Sequence, residues 1–316
     1  MGMMEDRLTL RAAYLYYRSE LTQAQVAAKL GVSRVKVGRL LASAERRGIV
    51  HIDIRHPLSR LTDAEVALEQ RFGLREAVVV ASAAEHGDES ELRTFAVASA
   101  GAFYLASLEL TGGSIAVGWG TTMHAVSEVL ADRWARDVQV FQLNGAIPVS
   151  GYANSAGEMM TRFAQRGHGR AHILQVPAIV DSAEVRVALE TDRSVRAALE
   201  GAARAPIAMF SLGRLTRESV LVSSGYIQSS GIDALQAEGA MGDVISRFIG
   251  ADGEVVDALL DARTMGVDLA TLRERERSIG IAAGAAKASA ARAAIAGGYV
   301  DTVIVDDSLA DELLRG

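Results

Sequence analysis

The sequence predicts an α/β protein in two parts: a small helical head, then a larger body on a mostly parallel sheet. Three observations carry that prediction. Seven short apolar runs alternate with helix-like stretches between residues 76 and 306, the rhythm of buried parallel strands covered by helices on both faces. Near the start, "LTQAQVAAKLGVSRVKVGRLL" at 21–41 sets two short amphipathic segments around one glycine. Charge divides the same way. Residues 1–60 hold eleven Lys and Arg against five Asp and Glu, a net of +6, which leaves −12 for the rest of a chain whose total is −6. A basic head on an acidic body places any polyanion at the front.

At 316 residues, 49% apolar and 23% charged, the chain is long enough for two domains with full cores, expected at 1–57 and 58–316. It has no cysteine. That excludes disulfides, thiolate metal sites and a cysteine nucleophile, and it fits a reducing cytoplasm. "MGMMEDRLTL" carries acids where a signal peptide needs a basic region and an apolar run. No apolar segment is long enough to span a bilayer. The expectation is a cytoplasmic protein with no membrane partner.

In the head, Thr22 and Gln25 form a T-x-x-Q capping box, so a helix starts at Thr22. Val26, Ala27 and Leu30 fall on one face of it. Gly31 ends it in a left-handed conformation. Ser33 then caps a second helix whose buried face is Val37, Leu40 and Leu41. Two short helices across so tight a turn make a helix-turn-helix. An earlier helix, about Arg7 to Arg18, offers Leu8, Leu10, Ala13, Tyr14 and Tyr17 to a three-helix core. The second helix exposes Arg34, Lys36 and Arg39, with Ser33 at its start. In such motifs that end enters the major groove. Arg34 and Lys36 are candidates for base edges or nearby phosphates, Arg39 for phosphate, and Gln23 for a phosphate at the first helix's N-terminus. In "IVHIDIRHP", Val50, Ile52 and Ile54 alternate with His51, Asp53 and Arg55 like the strand of a wing, stopped by Pro57. A plain helical hairpin with a solvated charged face is the competing reading.

In the body, residues 58–74 read as linker and helix. Strands are expected at 76–81, 114–119, 138–143, 171–176, 206–212, 278–283 and 301–306. Helices are expected at 89–109, 121–134, 154–166, 193–202 and 284–296. Parallel sheets take ligands at the C-terminal ends of their strands, which directs attention to the exit loops. In "GWGTT", Gly118 and Gly120 permit close backbone approach, and Thr121 and Thr122 open a helix whose free N–H groups favour an anion. A glycine turn with threonine caps accounts for the same letters. Asn144 and Gly145 end the next strand. There Asn144 meets a sugar hydroxyl or its own turn. Asp243, in "GAMGDVISRFIGADG", accepts from polyol hydroxyls or caps a helix. Gly284 ends a strand and Lys287 opens the next helix. The chain has three lysines, Lys29, Lys36 and Lys287, and a compact ammonium at a glycine-marked helix start suits a phosphate. A solvated surface lysine is the plain alternative.

Taken in order, these pieces resemble the SorC family of sugar-responsive bacterial transcription regulators. The resemblance covers nearly the whole chain. It rests on the helix-turn-helix at 22–42, "GWGTTM" at 118–123, "NG" at 144–145, "GDVISRF" at 242–248 and "GIAAGAAKASAARAAIAGGYVDTVIVDD" at 280–307. It implies a winged helix-turn-helix DNA reader joined to a Rossmann-like effector domain related to sugar-phosphate isomerases, in a homotetramer or homodimer. It implies that Thr121, Thr122 and Lys287 hold a phosphate and that Asp243 and Asn144 face hydroxyls. Some relatives capture their effector as a Schiff base on lysine; here Lys287 is the only lysine in the body and is wanted for phosphate.

His168 and His172 have a metal-like spacing, but glycines flank His168 and no carboxylate adjoins it, so no metal and no cofactor are expected. His124, Trp119 and Trp134 read as core or as neighbours of the site. "SSGYIQSSG" at 223–231 reads as a loop beside the cleft, and Asp306 and Asp307 as helix caps. The expected function is a DNA-binding transcriptional regulator whose operator affinity is set by a phosphorylated sugar or polyol, with no catalytic residue. The rival is a sugar-phosphate isomerase or deaminase fused to a DNA-binding module. A third reading, a structural nucleoid protein, sits poorly with the acidic body.

Overall fold

The computed structural model describes residues 3–19, 21–47, 49–50, 59–81, 89–147 and 156–315. Two compact units make up the chain, Met1–Ser59 and Arg60–Gly316. Among the described residues no helix is long and apolar enough to cross a membrane.

The first unit holds α1 (Met3–Ala13), α2 (Gln23–Leu30) and α3 (Arg34–Arg46). The capping box at α2 is complete. The Thr22 N–H donates to Gln25 Oε1 at 2.9 Å, and the Gln25 N–H donates to Thr22 Oγ1 at 3.3 Å. Gly31 sits at φ +66°, a conformation open to glycine and costly for a side chain. The Lys36 N–H donates to Ser33 Oγ at 3.2 Å and starts α3. Val26, Ala27, Val37, Leu40, Leu41 and Ala44 pack with Ala12 and Ala13 into one core. Leu10 and Tyr14 do not join it: they are 58% and 62% exposed. The buried stripe of α1 is Thr9, Ala12 and Ala13, which leaves Leu10 off it; in the wide turn over Tyr14–Arg18 Tyr14 is exposed while Tyr16 and Tyr17 pack against the core. The expected wing strand at 51–57 lies outside the described residues.

The second unit runs α4 (Ser59–Phe72), β1 (Glu76–Val80), α5 (Glu89–Ser107), β2 (Ser114–Val117), α6 (Thr121–Val129), β3 (Gln139–Gln142), α7 (Ala156–Arg166) and β4 (Arg170–His172). It continues with α8 (Ala183–Thr191), α9 (Arg193–Arg204), β5 (Ile207–Gly213), α10 (Val220–Ser223), α11 (Ser229–Ala237), β6 (Gly242–Val244) and β7 (Arg247–Ile249). It ends with α12 (Ala258–Asp261), α13 (Ala270–Arg273), β8 (Arg277–Ala282), α14 (Ala288–Ala296), β9 (Thr302–Asp306) and α15 (Asp307–Arg315). The main sheet has order β1-β9-β8-β5-β2-β3-β4 with every pair parallel. Its strands alternate between two cores. Ile115, Val117, Met209, Ile279, Ile281 and Ile304 face α5, α6 and α7. Ala116, Phe210, Leu212, Ala282, Val303 and Val305 face α4, α14 and α15. Helices on both faces make the sheet Rossmann-like and explain why its strands read as unbroken apolar runs. The β6–β7 hairpin is an antiparallel extension on the end of β5, pairing Leu212 with Val244 and Gly213 with Asp243.

The direction in which strands are added to the sheet reverses between β2 and β5. From β2 the chain steps outward through β3 to β4; from β5 it steps the other way through β8 to β9. Such a switch point leaves a crevice outside the C-terminal ends of the two strands.

Candidate functional site

A cavity of about 280 Å³ occupies that crevice. The exits of β2 and β3 supply Trp119, Gly120, Thr121, Thr122 and Asn144; β5 and its exit supply Ser211, Gly213, Arg214 and Thr216. Asp243, Ile245 and Ser246 come from the hairpin, and Lys287 from the turn after β8. The volume is at the low end for small-molecule sites, which run from roughly 300 to 1,000 Å³.

Part of the cavity lining is electropositive. Gly120 precedes α6 at φ +149° and offers no side-chain cap. A Cβ on it would lie 2.5 Å from Ser211 Oγ, so glycine is what lets the two exits touch. The first-turn N–H groups of α6, at Thr121 and Thr122, therefore have neither an intrahelical nor a side-chain partner. The half-buried Lys287 faces the same space, with the exposed Arg214 beside it. Burial pulls the Lys287 ammonium below its usual range; Asp243 opposes that shift, Arg214 adds to it and Asp306 opposes it. An ammonium disfavoured by burial and by a neighbouring cation gains most from an anion.

The same cavity also carries acceptors. Asn144 is 2% exposed; its Nδ2 donates to Ser246 Oγ at 3.0 Å, and its buried Oδ1 has no donor among the described residues. Asp243 accepts the Ser246 N–H at 3.2 Å. Burial pushes its carboxyl up to about 6, with the Ser246 N–H and Lys287 pulling the other way. Between β6 and β7 the turn is two residues long, with Ile245 at φ +45° and Ser246 at φ +70°. Hairpins favour this geometry but normally fill it with Asn-Gly. A β-branched residue there is strained by on the order of 1–2 kcal/mol. Burial of Ile245 (4% exposed) and the bonds to Ser246 hold it in place, and Ile245, Ser246 and Asp243 all line the cavity.

Two further contacts brace the walls. Trp119 Nε1 donates to the Gly145 carbonyl at 2.6 Å and ties the β2 exit to the β3 exit. Asp306, fully buried at the end of β9, accepts the Gly284 N–H at 2.8 Å and the Ser308 hydroxyl at 2.6 Å. It is therefore the anchor of the turn that carries Lys287 rather than a simple cap of α15. Asp307 does accept the Ser308 N–H, at 2.8 Å.

In the first unit, Ser33, Arg34, Lys36 and Arg39 are exposed on α3, and Gln23 is partly exposed at the start of α2. Gln23 and Arg34 flank one shallow hollow with Thr22 and Tyr16. A capped helix with its cationic side chains outward, held against a second helix across Gly31, is the form of a major-groove reader.

A family model described as "Putative sugar-binding domain" matches residues 56–315. The deoxyribonucleoside regulator of Bacillus subtilis (strain 168) is 33% identical over 100% of this chain and 99% of its own length. The sorbitol operon regulator of Klebsiella pneumoniae is 29% identical over 98% of both. The crystal structure of that full-length regulator, SorC, superposes with a TM-score of 0.75 at 28% identity over 98% of each chain. This chain belongs to the SorC family of sugar-binding transcription regulators. It is a DNA-binding regulator with a sugar-binding domain, as its full-length SorC relatives are.

Of the effector residues expected from the sequence, this SorC-family chain gathers Gly120, Thr121, Thr122, Asn144, Asp243 and Lys287 around one cavity. Gly118 and Gly145 stay outside the lining. A Cβ on Gly118 would meet Phe210 at 2.8 Å, and one on Gly145 would meet the Pro177 carbonyl at 2.2 Å. Both glycines serve strand packing around the site. Asp243 stands in a hairpin strand and caps no helix. The segment 223–231 is not a free loop: it runs from α10 into α11, and the cavity wall is formed just before it, by Thr216 to Leu221. Ser211, Arg214 and Ser246 escaped the sequence reading because nothing local marks them; pairing of β5 with β6 places them. His172 stacks on Phe141 at 4.2 Å and His168 lies 3.3 Å from Asp132. His124 points away toward Glu128, and Trp134 is core against Phe163.

Proposed function

We propose that the cavity binds a phosphorylated sugar or polyol and that its occupancy sets the affinity of the helix-turn-helix for operator DNA. The phosphate goes to Lys287 and the N-terminus of α6, with the hydroxyls of Thr121 and Thr122. The sugar hydroxyls donate to Asn144 Oδ1 and Asp243. The observation that carries this reading is the make-up of one cavity: Lys287 and the uncapped N-terminus of α6 beside a buried acceptor that finds no donor among the described residues. An unmet acceptor costs about 1–3 kcal/mol until a donor arrives. Ligand shifts the population of DNA-binding arrangements only by its difference in affinity between them. Relatives named for a sorbitol operon, deoxyribonucleosides and erythritol catabolism agree with a polyhydroxylated effector. The working form is a homodimer or homotetramer in the cytoplasm on a nearly palindromic operator, with Gln23, Ser33, Arg34, Lys36 and Arg39 facing DNA.

A thermal-shift screen against phosphorylated sugars and their dephosphorylated counterparts tests the reading. A binder at a hundred times its Kd stabilises by about 2.7 kcal/mol, and only the phosphorylated member should reach that. Lys287→Ala should abolish the shift while operator affinity without ligand stays unchanged in a mobility-shift titration. An unaltered dose response removes Lys287 from the site.

The elevated Asp243 carboxyl is the observation that favours an isomerase instead, since a base near neutrality suits proton abstraction. Its cavity partner among the described carboxylates is Glu218, kept below the usual range by the Thr216 hydroxyl, which is a poor proton donor. Incubation with candidate sugar phosphates and detection of turnover separates the two readings.

A further inference from the structure

The outward face of α3 carries a residue that the charge pattern passes over. Val35 is 67% exposed, between the exposed Arg34 and Lys36. At 3.6 residues per turn it lies about 160° around the helix from Val37, which is fully buried in the core. Val35 thus stands near the centre of the face turned away from the protein, in the first turn after the Ser33 cap. A β-branched side chain there lowers helix propensity, and this one recovers little by packing. The next positions along that ridge are Gly38 and Ala42. A Cβ added at Gly38 would find no atom nearer than Gln23 Oε1 at 4.0 Å, so no steric need of the folded chain explains a glycine that costs a helix interior roughly 1 kcal/mol. The ridge Val35–Gly38–Ala42 is smooth and uncharged. Cations flank it, Arg34 on one side and Arg39 on the other.

We propose that Val35 reads DNA sequence through apolar contact with a thymine C5-methyl group in the major groove, and that the small residues behind it let α3 seat deeply enough for a short side chain to reach the base edges. Thymine is the base that presents a methyl group there, and valine offers no hydrogen bond to any other edge. Arg34, Lys36 and Arg39 hold the helix in register; Val35 supplies discrimination at one base pair of each half-site. The inference rests on α3 being the groove-entering helix.

The test uses the full-length chain without effector. Duplexes are enriched from a random pool, and each thymine of the consensus is replaced in turn by deoxyuracil, which removes the methyl group alone. One symmetry-related pair of thymines should lose about three- to ten-fold in affinity per half-site, the scale of one methyl group taken out of water. Val35→Ala should weaken binding to the thymine duplex by a similar factor and become indifferent to deoxyuracil at that pair, while remaining sensitive to base changes elsewhere. Val35→Thr, which keeps the shape and replaces one methyl with hydroxyl, should fall between. Exposure of Val35 leaves the core intact in both variants, which circular dichroism verifies. If no deoxyuracil substitution weakens binding, or if Val35→Ala keeps the wild-type sensitivity, Val35 reads no methyl group, even where Lys36→Ala still weakens binding. If Lys36→Ala also binds as wild type, or if the pool yields no consensus, α3 is not the reading helix and the inference falls with it.

Discussion

Asn144 donates from Nδ2 to the Ser246 hydroxyl at 3.0 Å across 102 positions of sequence, and its buried Oδ1 has no donor among the described residues. The bond fixes which way the amide points, because the hydroxyl takes the nitrogen and leaves the oxygen without a donor among the described residues. Under the proposed function, that oxygen takes a hydroxyl of the effector.

Asn144→Ala should therefore cost effector binding more than it costs the fold. Loss of one buried acceptor–hydroxyl bond is worth about 1–3 kcal/mol, or roughly ten- to hundred-fold in Kd by isothermal titration. Unfolding in the absence of ligand should shift by less, since the unmet oxygen goes too. A Kd within two-fold of wild type would show that the amide serves only the hairpin.

Asp243 makes stability depend on pH in an unusual direction. Folded, it keeps its proton up to about pH 6; unfolded, an aspartate lets go near 3.9. Between those values the folded chain binds the extra proton, so the group's contribution to stability is present in acid, falls as pH rises from about 4 to about 6, and stays low above. Asp243→Asn, which still accepts the Ser246 N–H, should be more stable than wild type at pH 7.5 by on the order of 1–3 kcal/mol. The advantage should vanish toward pH 4. Urea midpoints at both pH values measure it, and a pH-independent difference would mean that the carboxyl titrates normally.

Much of this was legible beforehand, for reasons tied to particular residues. β2, β5, β8 and β9 announced themselves because strands buried on both faces need largely apolar side chains, as in "TVIVD" and "IAMFSLG". Thr22, Gln25 and Gly31 were readable because capping is local chemistry. The site was legible only where its residues sit at strand exits. Ser246 was not, because its role comes from a strained turn occupied by Ile-Ser in place of the usual Asn-Gly. Arg214 was not, because one arginine among many has no local mark. Tyr14 leaves the expected face at the wide turn over Tyr14–Arg18, and Leu10 leaves it because α1 buries Thr9 and the small Ala12 and Ala13 instead.

Gly213 and Asp243 are paired across β5 and β6, and a Cβ on Gly213 would sit 1.7 Å from Asp243 Oδ1. Gly213→Ala must push the carboxylate aside or open the hairpin. A destabilisation of about 1–3 kcal/mol is expected, as for overpacking elsewhere, together with loss of the effector-induced thermal shift. Operator affinity without ligand should persist, because the change lies wholly in the second unit. Retention of a wild-type shift would place the ligand away from Asp243.

The cations of α3 should separate into two kinds under salt. Arg39 lies more than a turn beyond the Ser33 cap, on the side of the helix that meets the sugar-phosphate backbone when the N-terminal residues enter the groove. Arg39→Ala should weaken every duplex alike and lower the slope of log affinity against log salt by about 1 for each head engaged, since each phosphate contact releases its share of counterions. Arg34→Ala and Lys36→Ala, nearer the base edges, should instead cost about 1–3 kcal/mol on the preferred site and little on random DNA. Mobility-shift titrations from 50 to 200 mM salt, roughly the range in which such contacts are won or lost, distinguish the two. Arg39 would be shown to read bases if its removal relaxed sequence preference while the salt slope held.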